Sequence, residues 1–111
     1  MYNLTLGKFK KALERMNPNS ILICTNALYI QPSFGSYEGF YKEIFFDFSE
    51  KPEDCKTVAE ILDGIYLALK TFPITESTKV WLGSKEIGSC MAPVLVEQFN
   101  EEYVTLTILQ K

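Results

Sequence analysis

The chain has 111 residues, 11 Lys+Arg against 14 Asp+Glu, no His, three Cys and 47% hydrophobic residues. That is one domain's worth of sequence, 1–111, able to bury roughly 65% of its unfolded surface without disulfide or metal staples. The lack of His removes imidazole bases and His-containing zinc sites, and the composition is too apolar for disorder, with no apolar run long enough to span a membrane.

Thr5 to Met16 reads as a helix, because Leu6, Phe9, Leu13 and Met16 recur at helical spacing and Thr5 can cap the first turn. Asn17-Pro18-Asn19 stops it. Residues 20–25, Ser-Ile-Leu-Ile-Cys-Thr, form a buried strand that 27–30 either continue or follow with a second strand, and Pro32 ends the run. Residues 33–42 are expected to be a loop with two glycines and four aromatics, and 43–48 a strand leading to the polar turn at 49–54. The second helix carries the clearest signal. Thr57-Val-Ala-Glu60 is a capping box, and Val58, Ile61, Leu62, Ile65 and Leu69 share one face. Phe72-Pro73 closes it. Val80-Trp81-Leu82 is a short strand ending at Gly83, and two alternating runs, 93–99 and 103–109, are joined through Asn100-Glu101-Glu102 as a hairpin. No internal repeat, low-complexity tract or linker is visible. The order predicts an α+β domain, with two helices packed on a mainly antiparallel sheet of about five strands ending in a C-terminal hairpin. A small β-rich barrel with helices at its ends is the alternative topology.

Charge is uneven along the chain. Residues 1–33 carry a net +3, residues 34–63 a net −5 and the remainder −1. This is not the balance of a general phosphate-backbone binder, so direct nucleic-acid binding is not expected. Cys24, Cys55 and Cys90 form no CxxC pair and have no His to activate them, so they read as small apolar side chains. No basic segment precedes an apolar one at the N-terminus, so no signal peptide is expected and the chain reads as cytoplasmic.

Ser36-Tyr37-Glu38-Gly39-Phe40-Tyr41 introduces a likeness that extends along the chain. Taken with Thr5-Leu6-Gly7, Pro32, Thr57-Val58-Ala59-Glu60-Ile61-Leu62 and Thr78-Lys79-Val80-Trp81, it resembles an uncharacterised family of small phage and prophage proteins. Members of that family carry Ser-Tyr-Arg-Gly-Tyr-Tyr at the corresponding place. Here Glu38 replaces the Arg, and Thr71-Phe-Pro-Ile74 stands where relatives have Lys-Gly-Gly. The resemblance implies fold and phage origin, in an infected bacterial host, more than any ligand.

Four constellations bear on chemistry. Residues 34–48 hold seven of the 15 aromatics: Phe34, Tyr37, Phe40, Tyr41, Phe45, Phe46 and Phe48. Tyrosine faces stack on flat ligands, and glycines admit close backbone approach; equally, the rings can cover the sheet. Ser36, Tyr37, Gly39, Tyr41 and Lys42, with Trp81, are therefore the candidate ligand-binding residues. Lys8, Lys11 and Arg15 fall within about 60° on the first helix and could hold phosphate or simply form a solvated face. Glu38, Glu43, Asp47, Glu50, Glu53 and Asp54 could mimic nucleic acid toward a basic partner or be ordinary turn acids. Gly83-Ser-Lys-Glu-Ile-Gly-Ser89 lacks the spacing of a P-loop or dinucleotide fingerprint and reads as a plain loop. No nucleophile–base pair, metal set or cofactor fingerprint emerges, so the expectation is a non-enzymatic counter-defence protein needing no cofactor. Its leading form is a homo-oligomeric sponge for a small nucleotide-type immune signal. The alternative is an anti-CRISPR-like inhibitor that occupies the basic groove of a host defence nuclease with its acidic surface.

Overall fold

Thr5 caps the first helix, accepting a hydrogen bond from the Lys8 amide at 3.3 Å. The helix, α1, runs Leu6–Glu14 and buries Leu6, Phe9 and Leu13 on one face. Beyond it Asn17 accepts the Asn19 amide with its own side chain and turns the chain into β1, Ile21–Cys24. The following strands are β2, Tyr29–Ser36, and β3, Glu43–Ser49. A 3-10 turn, Pro52–Asp54, precedes α2, Val58–Thr71. Its capping box is reciprocal. The Glu60 carboxylate accepts from the Thr57 amide at 3.1 Å, and the Glu60 amide donates to Thr57 Oγ1 at 3.2 Å. Strands β4, Lys79–Ser84, β5, Ser89–Gln98, and β6, Tyr103–Gln110, complete the order. This computed structural model describes residues 4–24, 29–36, 43–71, 74–84 and 89–110.

Among the described residues the architecture is α+β, with two helices, a mainly antiparallel sheet and a C-terminal hairpin, β5–β6. The sheet holds six strands among the described residues, and it closes into a barrel in the order β1-β2-β3-β4-β5-β6. Neighbours are antiparallel except at β3–β4 and β6–β1, which are parallel. The additional strand is the second one that residues 27–30 allowed, and residues 33–36, expected to be loop, continue it past Pro32. Proline lacks the N–H that a regular ladder uses. The β2–β3 register shifts between Gln31 and Gly35, so the strand bulges around Pro32 rather than ending there. Pro93 in β5 is treated the same way, with a shift between Pro93 and Leu95.

That parallel is one of many, and it lies in the order of elements rather than in any repeat of the sequence. The described elements fall into two αβββ units, α1-β1-β2-β3 and α2-β4-β5-β6, that follow one another around the closed barrel. Thr5 bridges to Lys79, and Thr57 bridges to Ile21. The Leu6, Gly7 and Val80 amides donate to the Thr78, Glu76 and Leu4 carbonyls; the Val58, Ala59 and Leu22 amides donate to those of Ser20, Pro18 and Lys56. Each helix therefore begins beside the first residues of the other unit's opening strand. Leu6, Phe9 and Leu13 correspond to Val58, Ile61 and Ile65, all fully buried. Ser20 and Thr78, the buried polar residues among those described, are counterparts at the entries to β1 and β4.

One continuous core results. The helices contribute those six residues and Ala68, with Leu62 and Leu69 half-buried beside them. The strands contribute Leu22, Cys24, Ile30, Val80, Leu82, Val96, Val104 and Leu106 at alternating positions. Ile61 and Ile65 lie in the same cluster as Leu22, Val104 and Leu106, as the apolar stripe of α2 predicts.

Candidate functional site

Tyr37, Gly39, Tyr41 and Lys42 lie outside the described residues, and so does Glu38. The flanks of their segment are fixed. Ser36 pairs with Ile44 across β2–β3, and Glu43 stands opposite Lys79 across β3–β4. Lys79 in turn bridges to Thr5, the cap of α1. The base of the aromatic segment thus meets the start of α1 at one end of the barrel. Lys8, one turn into that helix, is held by its amide to the Thr5 hydroxyl.

Lys8, Lys11 and Arg15 are all exposed, on the side of α1 away from Leu6, Phe9 and Leu13. From Lys8 to Arg15 the helix axis covers about 10 Å. Lys10 is drawn away from this group. Its ammonium pairs with Glu76 at 2.6 Å, which raises the Lys10 pKa and lowers that of Glu76. Sequence reasoning did not find this pair, because 66 residues separate its partners and only the docking of α1 on the α2–β4 connection unites them. The same holds for Tyr66, whose hydroxyl donates to Glu14 at 2.6 Å across the α1–α2 seam. That bond to a carboxylate holds the Tyr66 pKa above its ordinary value.

Trp81 sits in β4 opposite Phe45, two residues beyond Lys79. Strand alternation sets it on the side opposite Val80 and Leu82, yet it is only 6% exposed. It is a covered ring outside the barrel core cluster, not an open stacking platform. Ser84 pairs with Ser89, so the glycine- and serine-bearing segment is the connection of the β4–β5 hairpin, with 85–88 outside the described residues.

The cysteines follow the packing expectation where they are described. Cys24 is a core residue, and burial pushes its thiol up to about 12. A thiol held that far from ionisation is a poor nucleophile at neutral pH. Cys55 is free and half-buried beside the 3-10 turn. Of the acidic stretch, Glu50 and Glu53 are exposed on the turn after β3. Among the described residues no three of His, Cys, Asp or Glu gather where a metal ion could be held. No helix among them is long and apolar enough to cross a membrane.

The entry to β1 is organised by a polar network. Ser20 Oγ donates to the Glu101 carbonyl and accepts from Gln98 Nε2, both at 2.8 Å, while Gln98 Oε1 accepts the Asn17 amide at 2.8 Å. These bonds tie α1's exit, β1 and the β5–β6 hairpin together. Comparison with known proteins gives no match to a family model, a curated protein or a solved structure.

Proposed function

We propose that this chain is a non-enzymatic phage counter-defence protein that sequesters a small nucleotide-type immune signal in the cytoplasm of an infected bacterium. One observation carries the reading. The succession Glu43–Lys79–Thr5 sets the base of the tyrosine- and glycine-bearing segment beside the first turn of a helix with a basic outer face. In this reading Tyr37 and Tyr41 stack on the base, and Gly39 lets backbone amides approach it. Ser36 and Lys42 bond its polar edge, and Lys8, Lys11 and Arg15 hold phosphate. Trp81, two residues beyond Lys79 in β4, completes the set. Glu38, in place of the arginine of the resembling family, selects against a second anionic group close to the ring.

The test is thermal unfolding with a panel of cyclic and linear nucleotides. A ligand at a hundred times its Kd adds about 2.7 kcal/mol to the folded state, which for this size raises Tm by roughly 10–20 °C. Tyr37→Ala and Tyr41→Ala should lose that shift and keep their unliganded Tm. Mass spectrometry of small molecules released from protein purified out of infected cells identifies the ligand. No shift with any nucleotide and no released molecule would overturn the reading, as would unchanged counter-defence in a well-folded double variant.

A second reading is favoured by the exposure of Glu50 and Glu53 on the turn after β3. There the acidic surface occupies the basic groove of a host defence nuclease. Such an inhibitor ignores nucleotides and co-elutes with its basic partner.

A further inference from the structure

We propose that the outer face of the helix pair is a self-complementary docking surface for a second copy of this chain. The like order of the two αβββ units makes α1 and α2 counterparts, and their bridges to the opening strand of the other unit pair Thr5 with Thr57. Counting from those caps, Lys8 corresponds to Glu60, Lys11 to Asp63 and Arg15 to Leu67. All six are exposed. Their counterpart positions also point alike: on each helix the three lie opposite the buried triplet, Leu6, Phe9 and Leu13 or Val58, Ile61 and Ile65. One backbone frame therefore presents two outer faces of opposite sign side by side, cationic on α1 and anionic on α2.

Such a surface matches itself. A second copy placed face to face, across a two-fold axis perpendicular to the barrel axis, lays its α1 on the first copy's α2 and its α2 on the first copy's α1. Both contacts join unlike charges. Glu14 and Tyr66, which are counterparts of each other, meet at the seam and bond internally at 2.6 Å, so the centre of the face does not repel its copy. Leu67, 64% exposed within the anionic face, offers apolar surface to the stem of the partner's arginine. Lys70 lies a turn past Leu67, where the shorter α1 has no counterpart. Two helices side by side, the longer about 21 Å, offer a contact smaller than the roughly 1,200 Å² in total above which association is stable, in the range of transient encounters. The contact is accordingly weak and salt-dependent. It engages Lys8, Lys11 and Arg15, the residues that the proposed function gives to phosphate, so a nucleotide held there competes with the contact.

The experiment is sedimentation equilibrium of the full chain at about 20 mM and about 0.5 M salt, with Lys11→Glu, Asp63→Lys and the double variant. The wild type should weigh twice 12.7 kDa at low salt and 12.7 kDa at high salt. Each single variant should weaken self-association at least roughly tenfold. The double variant should restore it, and the two single variants mixed should form a heterodimer, because the carboxylate introduced on α1 of one copy then faces the ammonium introduced on α2 of the other. Both side chains are exposed, so equal Tm values verify folding. A monomer at every salt concentration overturns the proposal, and so does failure of the mixed variants to associate. A salt-indifferent dimer lost on Phe99→Lys overturns it too, assigning the contact to the sheet face that exposes Leu95 and Phe99.

Discussion

Replacing Gly7 by alanine separates space from conformation as the reason for a glycine inside a helix. In an open helix the change stabilises, because alanine exceeds glycine by about 0.8–1 kcal/mol. At position 7 an added Cβ would stand 2.8 Å from the Glu76 Cβ and 3.1 Å from the Glu76 carbonyl oxygen. Ordinary contact requires a retreat of at least ~0.6 Å on the first of these. Glu76 is not free to retreat. Its carbonyl accepts the Gly7 amide at 2.9 Å and its carboxylate is paired with Lys10. Overpacking of this kind costs about 1–3 kcal/mol, and loss of the carbonyl bond adds about 1 kcal/mol. Set against the propensity gain, Gly7→Ala should destabilise by about 1–3 kcal/mol, a fall in Tm of roughly 5–15 °C by calorimetry. The duplicated fold supplies the control. Ala59 holds the equivalent place, donating to the Pro18 carbonyl at 3.1 Å, so Ala59→Gly should also destabilise, by about 1 kcal/mol, through propensity alone. A Gly7→Ala protein as stable as wild type would refute the close approach of α1 to Glu76.

Three further outcomes follow from the core and the caps. Folded Cys24 keeps its proton to about pH 12 whereas an exposed thiol loses it near 9.0, so the unfolded state binds fewer protons in that window and stability falls as pH rises through it. At about pH 10.5 the loss is about 2 kcal/mol, and urea unfolding should show a shallower alkaline decline in Cys24→Ala than in wild type. Thr57→Ala, which removes the hydroxyl of the capping box, should cost about 1 kcal/mol and speed amide exchange in the first turn of α2. Ser20→Ala deprives Gln98 and the Glu101 carbonyl of a buried partner; a loss of about 1–3 kcal/mol in denaturant unfolding is expected, with Ser20→Thr in between.

The elements set by local chemistry are plain in the sequence. Thr5 and Thr57 cap their helices as their side chains predict, and the β5–β6 turn forms where Asn100 accepts the Glu102 and Tyr103 amides. Barrel closure is a different matter. It rests on the parallel pairings β3–β4 and β6–β1, and the latter joins Ile21 to Tyr103. No periodicity encodes contacts of that separation. The likeness of the two units is hidden for a related reason. Counterparts agree in burial rather than identity, as Phe9 and Ile61 do, and α2 has 14 residues against 9 in α1, which shifts the spacing between helices and strands. Pro32 misleads because a rule for regular ladders meets a bulge. For the candidate site, the sequence marks residue types, whereas the neighbourhood of Glu43, Lys79 and Thr5 exists only once the barrel has closed.

The likeness of the two units also sharpens what calls for a functional explanation. A fold built from two like units imposes like demands at counterpart positions, so packing alone asks for like residues there. It obtains them at Leu6 and Val58, at Leu13 and Ile65, and at Ser20 and Thr78. Where counterparts diverge in chemistry, the divergence is not required by the barrel. Lys11 and Asp63 differ in sign on exposed faces. Trp81 stands where the first unit has Ile23, because β1 and β4 enter their parallel pairs at Ile21 and Lys79. The β5–β6 turn is Asn100-Glu101-Glu102, while the corresponding β2–β3 connection is Tyr37-Glu38-Gly39-Phe40-Tyr41-Lys42. A turn needs polar residues that satisfy its backbone, and Asn100 alone does so for two amides. Two tyrosines and a phenylalanine in the equivalent place exceed what reversing the chain demands. The asymmetry between the units therefore falls on the β2–β3 connection, on Trp81 and on the basic face of α1, the features that the proposed function draws on.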